Sequence, residues 1–163
     1  MKQTLRIGHG IDVHPFAAER KCVLGGVEIP HTRGLAGHSD ADALIHALCD
    51  ALLGALALPD IGHWFPSSDA RYRDIASVRL LQEVMEKVRA AGYAVINVDI
   101  TILAQEPKLA PHLAAMRRVL APVLGIADDA IGIKATTTES LGFIGRCEGI
   151  EVHAVCLLGR AGG

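Results

Sequence analysis

The sequence lacks both an excess of basic residues and any long apolar run. Sixteen Lys and Arg residues stand against 18 Asp and Glu residues, which gives a formal net charge of −2. A general nucleic-acid binder would carry a basic excess, so we expect no nucleic-acid partner. No apolar segment reaches the length of a membrane span, and no signal-peptide pattern is present. We therefore expect a cytoplasmic protein without a membrane partner.

Paired cysteines and several common catalytic motifs are also missing. The four cysteines, at positions 22, 49, 147 and 156, form no C-x-x-C pair, and we predict core thiols in a reducing compartment. The sequence has no G-x-x-x-x-G-K-[ST], H-E-x-x-H or G-x-S-x-G motif. These absences exclude a P-loop ATPase, a zincin protease and an α/β-hydrolase.

The length and the hydrophobic periodicity predict one domain spanning residues 1–163. No internal repeat or linker divides the chain, and 163 residues can bury a real core. We predict strands over about residues 5–15, 93–103, 131–135 and 150–158, with a short hairpin over 22–29. Helices are predicted over about residues 40–56, 74–91 and 112–124. This partial alternation favours an α+β fold with a mixed β-sheet covered by helices.

Two segments carry residues that suit a metal ion. Asp12 and His14 are two apart in the first strand and therefore project from the same face. His46 lies beside the apolar stripe of the first helix, with Asp42 one turn earlier as a candidate to orient it. One carboxylate and two histidines match the three-ligand arrangement of catalytic zinc. Each histidine alone is more commonly a surface or hydrogen-bonded residue, but the Asp12-x-His14 pair, together with two further histidines that bracket an acidic helix start, favours a metal site.

The opposite face of the first strand is aliphatic. Ile7, His9, Ile11 and Val13 alternate with the residues of the metal face. We therefore predict that His9 is a packed histidine and not a ligand. Because both faces of this strand need cover, we also expect a partner subunit.

A threonine cluster marks the end of a later strand. Residues 136–139, Thr-Thr-Thr-Glu, would place hydroxyls and amides at a sheet end, where they suit phosphate oxygens. The carboxylate of Glu139 suits a hard cation such as Mg²⁺. A Thr-rich strand followed by a helix-capping turn explains the same residues equally well. Lys108 and Arg146 are weaker phosphate candidates, since solvated basic residues are far commoner.

Over about residues 6–158 the sequence resembles the 2-C-methyl-D-erythritol 2,4-cyclodiphosphate synthase family of the non-mevalonate isoprenoid pathway. The resemblance rests on motifs in order along the chain: Gly8-His9-Gly10-x-Asp12-x-His14, His38-Ser39-Asp40-x-Asp42-x-x-x-His46, Asp60-Ile61-Gly62, Phe65-Pro66, Ala104-Gln105-x-Pro107-Lys108, Lys134-Ala135-Thr136-Thr137-Thr138-Glu139 and Gly142-Phe143-x-Gly145-Arg146. Ile11 departs from the aromatic residue that is common there, which affects the lining of the family's central cavity.

The resemblance implies a homotrimer with active sites between subunits. Asp12, His14 and His46 would hold Zn²⁺, and Glu139 would help hold a second divalent cation, Mg²⁺ or Mn²⁺. His38 and Thr137 would orient the phosphates and stabilise the transition state.

The resemblance also implies a set of substrate-binding residues. The cytidine diphosphate end would lie along Ala104, Gln105, Glu106, Pro107, Lys108, Leu109, Ala110, Thr136 and Thr137. The rest of the substrate would meet Asp12, Val13, His14, His38, Ser39, Asp60, Ile61, Gly62, Phe65, Pro66, Ser67, Ser68, Asp69, Thr138 and Glu139. Phe143 and Arg146 would line and cap a channel on the threefold axis that can accept an isoprenoid diphosphate.

The implied reaction converts 4-diphosphocytidyl-2-C-methyl-D-erythritol 2-phosphate to the 2,4-cyclodiphosphate and releases CMP. The 2-phosphate attacks the β-phosphorus of the same molecule. Its second pKa is ~6, so it is already largely an anion near neutral pH and needs no protein base. One alternative is a zinc-dependent phosphohydrolase, which would release inorganic phosphate. The other is a non-enzymatic trimeric protein that binds an isoprenoid diphosphate, which would release no CMP.

Overall fold

The computed structural model describes residues 5–162. Its strands are β1 (Arg6–Ala17), β2 (Cys22–Leu24), β3 (Val27–Ile29), β4 (Gly34–Leu35), β5 (Tyr93–Leu103), β6 (Ile131–Thr136) and β7 (Gly149–Arg160). Its α-helices are α1 (Ala43–Ala55), α2 (Ile61–Trp64), α3 (Ser77–Ala90), α4 (Leu113–Leu124) and α5 (Gly142–Gly145), with short 3₁₀ turns at 70–72, 110–112 and 128–130.

Five strands form one mixed sheet in the order β4-β1-β7-β5-β6. β7 is antiparallel to both β1 and β5, whereas β5 and β6 are parallel. The β2–β3 hairpin forms a separate two-stranded sheet, and its turn residues Gly25 and Gly26 have φ of 57° and 72°. The predicted α+β fold with a mixed sheet is confirmed. Within residues 5–162, no helix is long and apolar enough to cross a membrane.

Helix α1 lies directly on β1 because two glycines remove the side chains between them. A Cβ atom at Gly8 would collide with the carbonyl oxygen of Ala51, and one at Gly10 with that of Ala47. Glycine in a strand often marks such a close approach of another backbone. This contact fixes the height of α1 above the strand, and so places the start of α1 over the end of β1.

The opposite face of the sheet has no cover from the described residues. Ile7 is 73% exposed and Ile11 48% exposed on this face. His9 is exposed as well, and its ring centre lies 5.6 Å from that of His153 on the neighbouring strand. The prediction that His9 is packed is therefore wrong for the single chain, because the long helices lie on the other face.

The remaining differences from the predicted elements are local. Helix α1 begins at Ala43 instead of 40, and two short elements, β4 and α2, lie outside the predicted strands and helices. The cysteine prediction is confirmed for three residues, since Cys22, Cys49 and Cys156 are buried free thiols. Cys147 is free and only partly buried.

Candidate metal centre and phosphate-binding pocket

Asp12, His14 and His46 converge between β1 and α1. His14 Nε2 lies 2.7 Å from Asp12 Oδ2 and 3.2 Å from His46 Nδ1, and His46 Nδ1 lies 3.3 Å from the same carboxylate oxygen. Among the described residues, this is the group of His, Cys, Asp and Glu side chains whose ligand atoms come close enough together to hold one metal ion. The two strand residues Asp12 and His14 and the helix residue His46 are thus brought together, as predicted from the sequence.

The ligand atoms of this cluster all lie within 4.8 Å of one another. Asp12 Oδ2 is buried and has no hydrogen bond of good geometry, despite its two close nitrogen neighbours. Burial alone would raise the pKa of Asp12, but the close contacts and charges of His14 and His46 outweigh it and hold the pKa below its usual value. A buried, ionised oxygen without a well-aligned donor is a site that a cation would satisfy.

The backbone fixes which nitrogen His14 presents. His14 Nδ1 lies 2.6 Å from the carbonyl oxygen of Ala36. A carbonyl only accepts, so Nδ1 carries the proton and donates it, which leaves the Nε2 lone pair facing the cluster. The donor set is then one carboxylate and two imidazoles, which matches the ligand chemistry of Zn²⁺.

Asp42 does not orient His46, contrary to the prediction. Its Oδ1 accepts hydrogen bonds from the amides of Ile45 (3.0 Å) and Gly25 (2.9 Å), and its Oδ2 accepts one from Gly26 (2.7 Å). Burial raises the pKa of this carboxyl to about 6, against the opposing effect of the three amides. Asp42 is the N-cap residue of α1, and its side chain also accepts hydrogen bonds from the turn of the β2–β3 hairpin. Its carboxylate therefore bonds backbone amides and not the His46 ring.

Ser39 and Ser77, instead of Asp42, contact the far side of the His46 ring. Ser39 Oγ lies 3.1 Å and Ser77 Oγ 2.9 Å from His46 Nε2. Ser39, predicted to bind substrate, is buried against His46. Val13, also in the predicted set, projects its side chain from the uncovered face of the sheet. Sequence spacing gave no signal for Ser77, which is 31 residues from His46.

Asp50 anchors the 60–69 segment, most of whose residues are predicted to bind the part of the substrate beyond the cytidine diphosphate. It follows His46 by one turn of α1, and its Oδ1 accepts a hydrogen bond from the amide of Ile61 at 2.8 Å. Asp60 caps the same short helix by accepting a bond from His63 at 3.2 Å. The 60–69 segment therefore begins beside the metal cluster.

The rest of the 60–69 segment forms a mostly exposed loop. Phe65 is buried against the core, whereas Asp69 pairs with Arg71 at 2.6 Å, a hydrogen bond that lowers the pKa of Asp69. His38 Nε2 lies 3.3 Å from the carbonyl oxygen of Asp69, so this ring contacts the loop. Pro66 is half-buried. The predicted residues of the 60–69 segment that are exposed are Asp60, Gly62, Ser67 and Ser68.

A second candidate site lies at the C-terminal ends of the parallel strands β5 and β6. Leu103 is paired with Thr136, and the amide of Ala104 donates to the carbonyl of Thr136 at 3.0 Å. This pairing forms a cavity of about 230 Å³, which we call the strand-end pocket; it is lined by Ala104, Gln105, Pro107, Lys108, Leu109, Ala110, Ala135, Thr136 and Thr137. Two predicted cytidine-binding segments, 32 positions apart, thus share one cavity.

The turn after Thr137 lies beside the strand-end pocket. Thr138 donates its hydroxyl to the carbonyl of Leu141 at 2.7 Å, so this threonine serves the turn. Glu139 has a positive φ of 53° and is exposed. The amide of Ser140 donates to Gln105 Oε1 at 3.2 Å, which ties the turn to the pocket wall. Thr136 and Thr137 therefore line the pocket and Thr138 lies in the turn, while phosphate binding by this cluster stays a prediction.

Two predicted residues near the pocket carry their own ion pairs. Glu106 does not line the cavity and pairs with Arg33 at 3.1 Å. Arg146 is exposed after α5 and pairs with Glu148 at 2.8 Å. In α5 itself, Ile144 is buried and Phe143 is half-buried.

The metal cluster and the strand-end pocket lie at the same end of the sheet. Val13 of β1 is paired with Glu151 of β7, which is paired with Leu103 of β5. Thr136 completes this row on β6. Three strand spacings separate β1 from β6, about 14 Å. Each chain therefore carries two separate candidate sites at one end of the sheet, the metal cluster and the strand-end pocket.

The comparisons with known proteins agree with this geometry. The model of the YgbB family matches residues 5–159. The chain is 58% identical over 157 residues to the 2-C-methyl-D-erythritol 2,4-cyclodiphosphate synthase of Syntrophomonas wolfei, covering 96% of this chain and 100% of that protein. It is 60% identical over 154 residues to the synthase of the same name from Moorella thermoacetica, covering 94% of each.

A solved structure extends the likeness to the fold. The CDP complex of IspF from Plasmodium falciparum superposes with a TM-score of 0.86 at 33% identity, over 99% of both chains. The family match covers nearly the whole chain, and the similarity covers 94–100% of the length of the three relatives named. This chain therefore belongs to the YgbB family.

Proposed function

We propose that the protein converts 4-diphosphocytidyl-2-C-methyl-D-erythritol 2-phosphate to 2-C-methyl-D-erythritol 2,4-cyclodiphosphate and releases CMP. The observation that carries the proposal is the convergence of Asp12, His14 and His46, with an unpartnered buried oxygen, in a chain up to 60% identical to named synthases. As in the synthases it resembles, the enzyme would act in isoprenoid biosynthesis as a phosphorus–oxygen lyase.

The metal cluster fits Zn²⁺ by its donor set. Asp12 Oδ2, His14 Nε2 and His46 Nδ1 would be the three protein ligands, leaving one position for a phosphate oxygen. When bound, the ion supplies Lewis acidity toward that phosphate. Ala36 holds His14 in the required tautomer at 2.6 Å.

The strand-end pocket would receive the cytidine diphosphate end. Its apolar wall from the 104–110 segment suits a base and ribose, while Lys108 supplies a positive charge and Thr136 and Thr137 supply hydroxyls. Glu139, exposed at the adjacent turn, is the proposed ligand of a second divalent cation, Mg²⁺ or Mn²⁺. His38 and Thr137 would orient the phosphates, and the 60–69 segment would hold the methylerythritol.

Binding one phosphate at the metal cluster and the cytidine diphosphate end in the strand-end pocket suits an intramolecular reaction. The nucleophile is the substrate's own phosphate anion, so the protein needs to hold two charged groups in line and stabilise the charge on the leaving CMP. Fixing both ends of the substrate supplies much of the rate, since attack within one bound molecule avoids the entropic cost of an encounter. No side chain of the metal cluster has to transfer a proton.

We propose a homotrimer whose active sites lie between subunits. The metal cluster and the strand-end pocket of one chain are about 14 Å apart across the sheet, and the aliphatic face beside them is uncovered. Burying that face around a threefold axis would bring the pocket of one subunit to the metal cluster of the next. Phe143 and Arg146 would then face the axis, where three arginines could bind an isoprenoid diphosphate if they release Glu148.

The deciding experiment measures CMP release by the purified protein, with and without a zinc chelator. We expect CMP and the cyclic diphosphate in equal amounts, loss of both with chelator, and recovery with added Zn²⁺. His46→Ala should abolish the reaction and the bound zinc, while His112→Ala, outside both candidate sites, should retain them. Release of inorganic phosphate would instead indicate the phosphohydrolase, and binding without turnover the non-enzymatic binding protein.

A further inference from the structure

The side of the His46 ring that faces away from the metal cluster is held by buried polar groups. His46 Nε2 lies 2.9 Å from the hydroxyl of Ser77, the first residue of α3. Ser77 is fully buried, and Asp40 binds it twice. Its hydroxyl donates to Asp40 Oδ1, and its amide donates to Asp40 Oδ2 at 3.0 Å. A chain of contacts therefore runs from Asp40 through Ser77 to His46.

Counting protons along this chain fixes the direction of each hydrogen bond. An ionised carboxylate only accepts, and a serine hydroxyl has a single proton to donate. Because Ser77 gives its proton to Asp40, its oxygen can only accept from His46. His46 must then carry its ring proton on Nε2, which leaves the lone pair on Nδ1.

The tautomer set by Ser77 is the one that a metal requires. Nδ1 is the nitrogen that faces Asp12 and His14, at 3.3 and 3.2 Å. Ser39 is compatible with the same arrangement. Its oxygen lies 3.1 Å from His46 Nε2, and its proton can point to Ser77 Oγ, 3.4 Å away.

We propose that Asp40 and Ser77 are positioning residues that lock the tautomer and orientation of His46 before the metal binds. Neither side chain belongs to the metal cluster, so both act through the histidine. The inference rests on the metal site of the proposed function but is independent of the reaction catalysed there. Removing such a partner of a metal-bound histidine typically weakens metal affinity about 10- to 100-fold.

The test uses the full-length protein in two measurements. Long-range ¹H–¹⁵N correlation spectra of the zinc-free protein report the tautomer of each histidine, and the His46 signals are assigned from His46→Gln. We expect the Nε2–H form in the wild type and a mixture of tautomers in Ser77→Ala. Competition with a chromophoric chelator should give a zinc dissociation constant about 10- to 100-fold higher for Ser77→Ala.

The controls distinguish loss of the contacts from Asp40 through Ser77 to His46 from a general loss of structure. Thr32→Ala removes an exposed hydroxyl elsewhere and should change neither measurement. If Ser77→Ala does not fold, Asp40→Asn keeps the size of the side chain but sets an amide donor against the hydroxyl or the amide of Ser77, and the same loss is expected. An Nδ1–H tautomer in the zinc-free wild type, or zinc affinity of the folded variant within about twofold of wild type, would overturn the proposal. Zinc affinity that depends on Ser77 in a protein releasing no CMP would refute the proposed reaction and leave this inference standing.

Discussion

Arg33 donates a hydrogen bond from its guanidinium to the carboxylate of Glu106, 73 residues later in the chain, at 3.1 Å. The same nitrogen reaches the carbonyl of Cys147 at 3.0 Å, and the ring of Phe16 packs 4.7 Å beneath the guanidinium. One side chain therefore joins the end of β1, the 104–110 segment and the turn after α5. Because the pair is partly exposed, we expect it to contribute little to stability, about 0–1 kcal/mol.

Arg33→Met should therefore weaken nucleotide binding more than it weakens folding. Without the bond to Glu106, the 104–110 segment loses a fixed position, and we expect the Kd for CDP to rise about 3- to 10-fold, the equivalent of one hydrogen bond. Calorimetric titration with CDP measures the effect, and kcat should change less than KM.

Lys21→Met is the matched control for Arg33→Met, since it removes an exposed ion pair with Glu28 far from the pocket. It should leave the CDP affinity unchanged. A fall in kcat with unchanged KM for Arg33→Met would contradict the positioning role.

The contacts of Arg33 show why only part of the site could be predicted from the sequence. Asp12 and His14 were placed on one face because a strand has a period of two, and this relation is local. The Arg33–Glu106 and Ser77–His46 contacts join distant segments, and no spacing rule encodes them. Asp42 was predicted to orient His46 from its helical spacing alone. Three backbone amides donate hydrogen bonds to its carboxylate instead, and the spacing gave no indication of them.

Asp42→Ala should destabilise the fold. The variant loses the N-cap of α1, worth about 1 kcal/mol, and leaves the buried Gly25 amide without its acceptor, at about 1–3 kcal/mol. We expect the free energy of unfolding to fall by about 2–4 kcal/mol in denaturant titrations. Asp128→Ala, at an exposed 3₁₀ turn, should have little effect. If Asp42→Ala lowered zinc affinity without changing stability, Asp42 would belong to the metal site after all.

Glu139→Gln should change the requirement for the second cation. A neutral amide is a poorer ligand for a hard cation than a carboxylate, so the Mg²⁺ or Mn²⁺ concentration for half-maximal CMP release should rise about tenfold or more. Zinc content should stay the same, because Asp12, His14 and His46 are untouched. Glu83→Gln, on the exposed side of α3, serves as the control. An unchanged cation dependence would make Glu139 a turn residue only.

The uncovered face of the sheet exposes apolar side chains from two neighbouring strands. Ile7, Ile11 and Val13 on β1 continue across the sheet into Val155 of β7, an apolar surface of the kind that marks an interface. Ile11→Asp places a charge in this surface, and burying it in an interface would require its desolvation. We expect the proposed trimer to dissociate in sedimentation experiments and CMP release to fall with it. Ala114→Asp, exposed on α4, should remain trimeric.

Mixing two variants, each of which we expect to be inactive by itself, tests whether each active site spans two subunits. His46→Ala removes the metal half of a site, and Lys108→Ala removes charge from the nucleotide half. If one subunit supplies the metal and the next supplies the pocket, a randomly mixed trimer will contain some sites with both halves intact. Such sites number about one in four when the two variants are equal in amount, because each of two neighbouring subunits must be of the right kind. Co-expression should therefore restore about a quarter of the wild-type rate, whereas sites formed within one chain would stay inactive in every mixture.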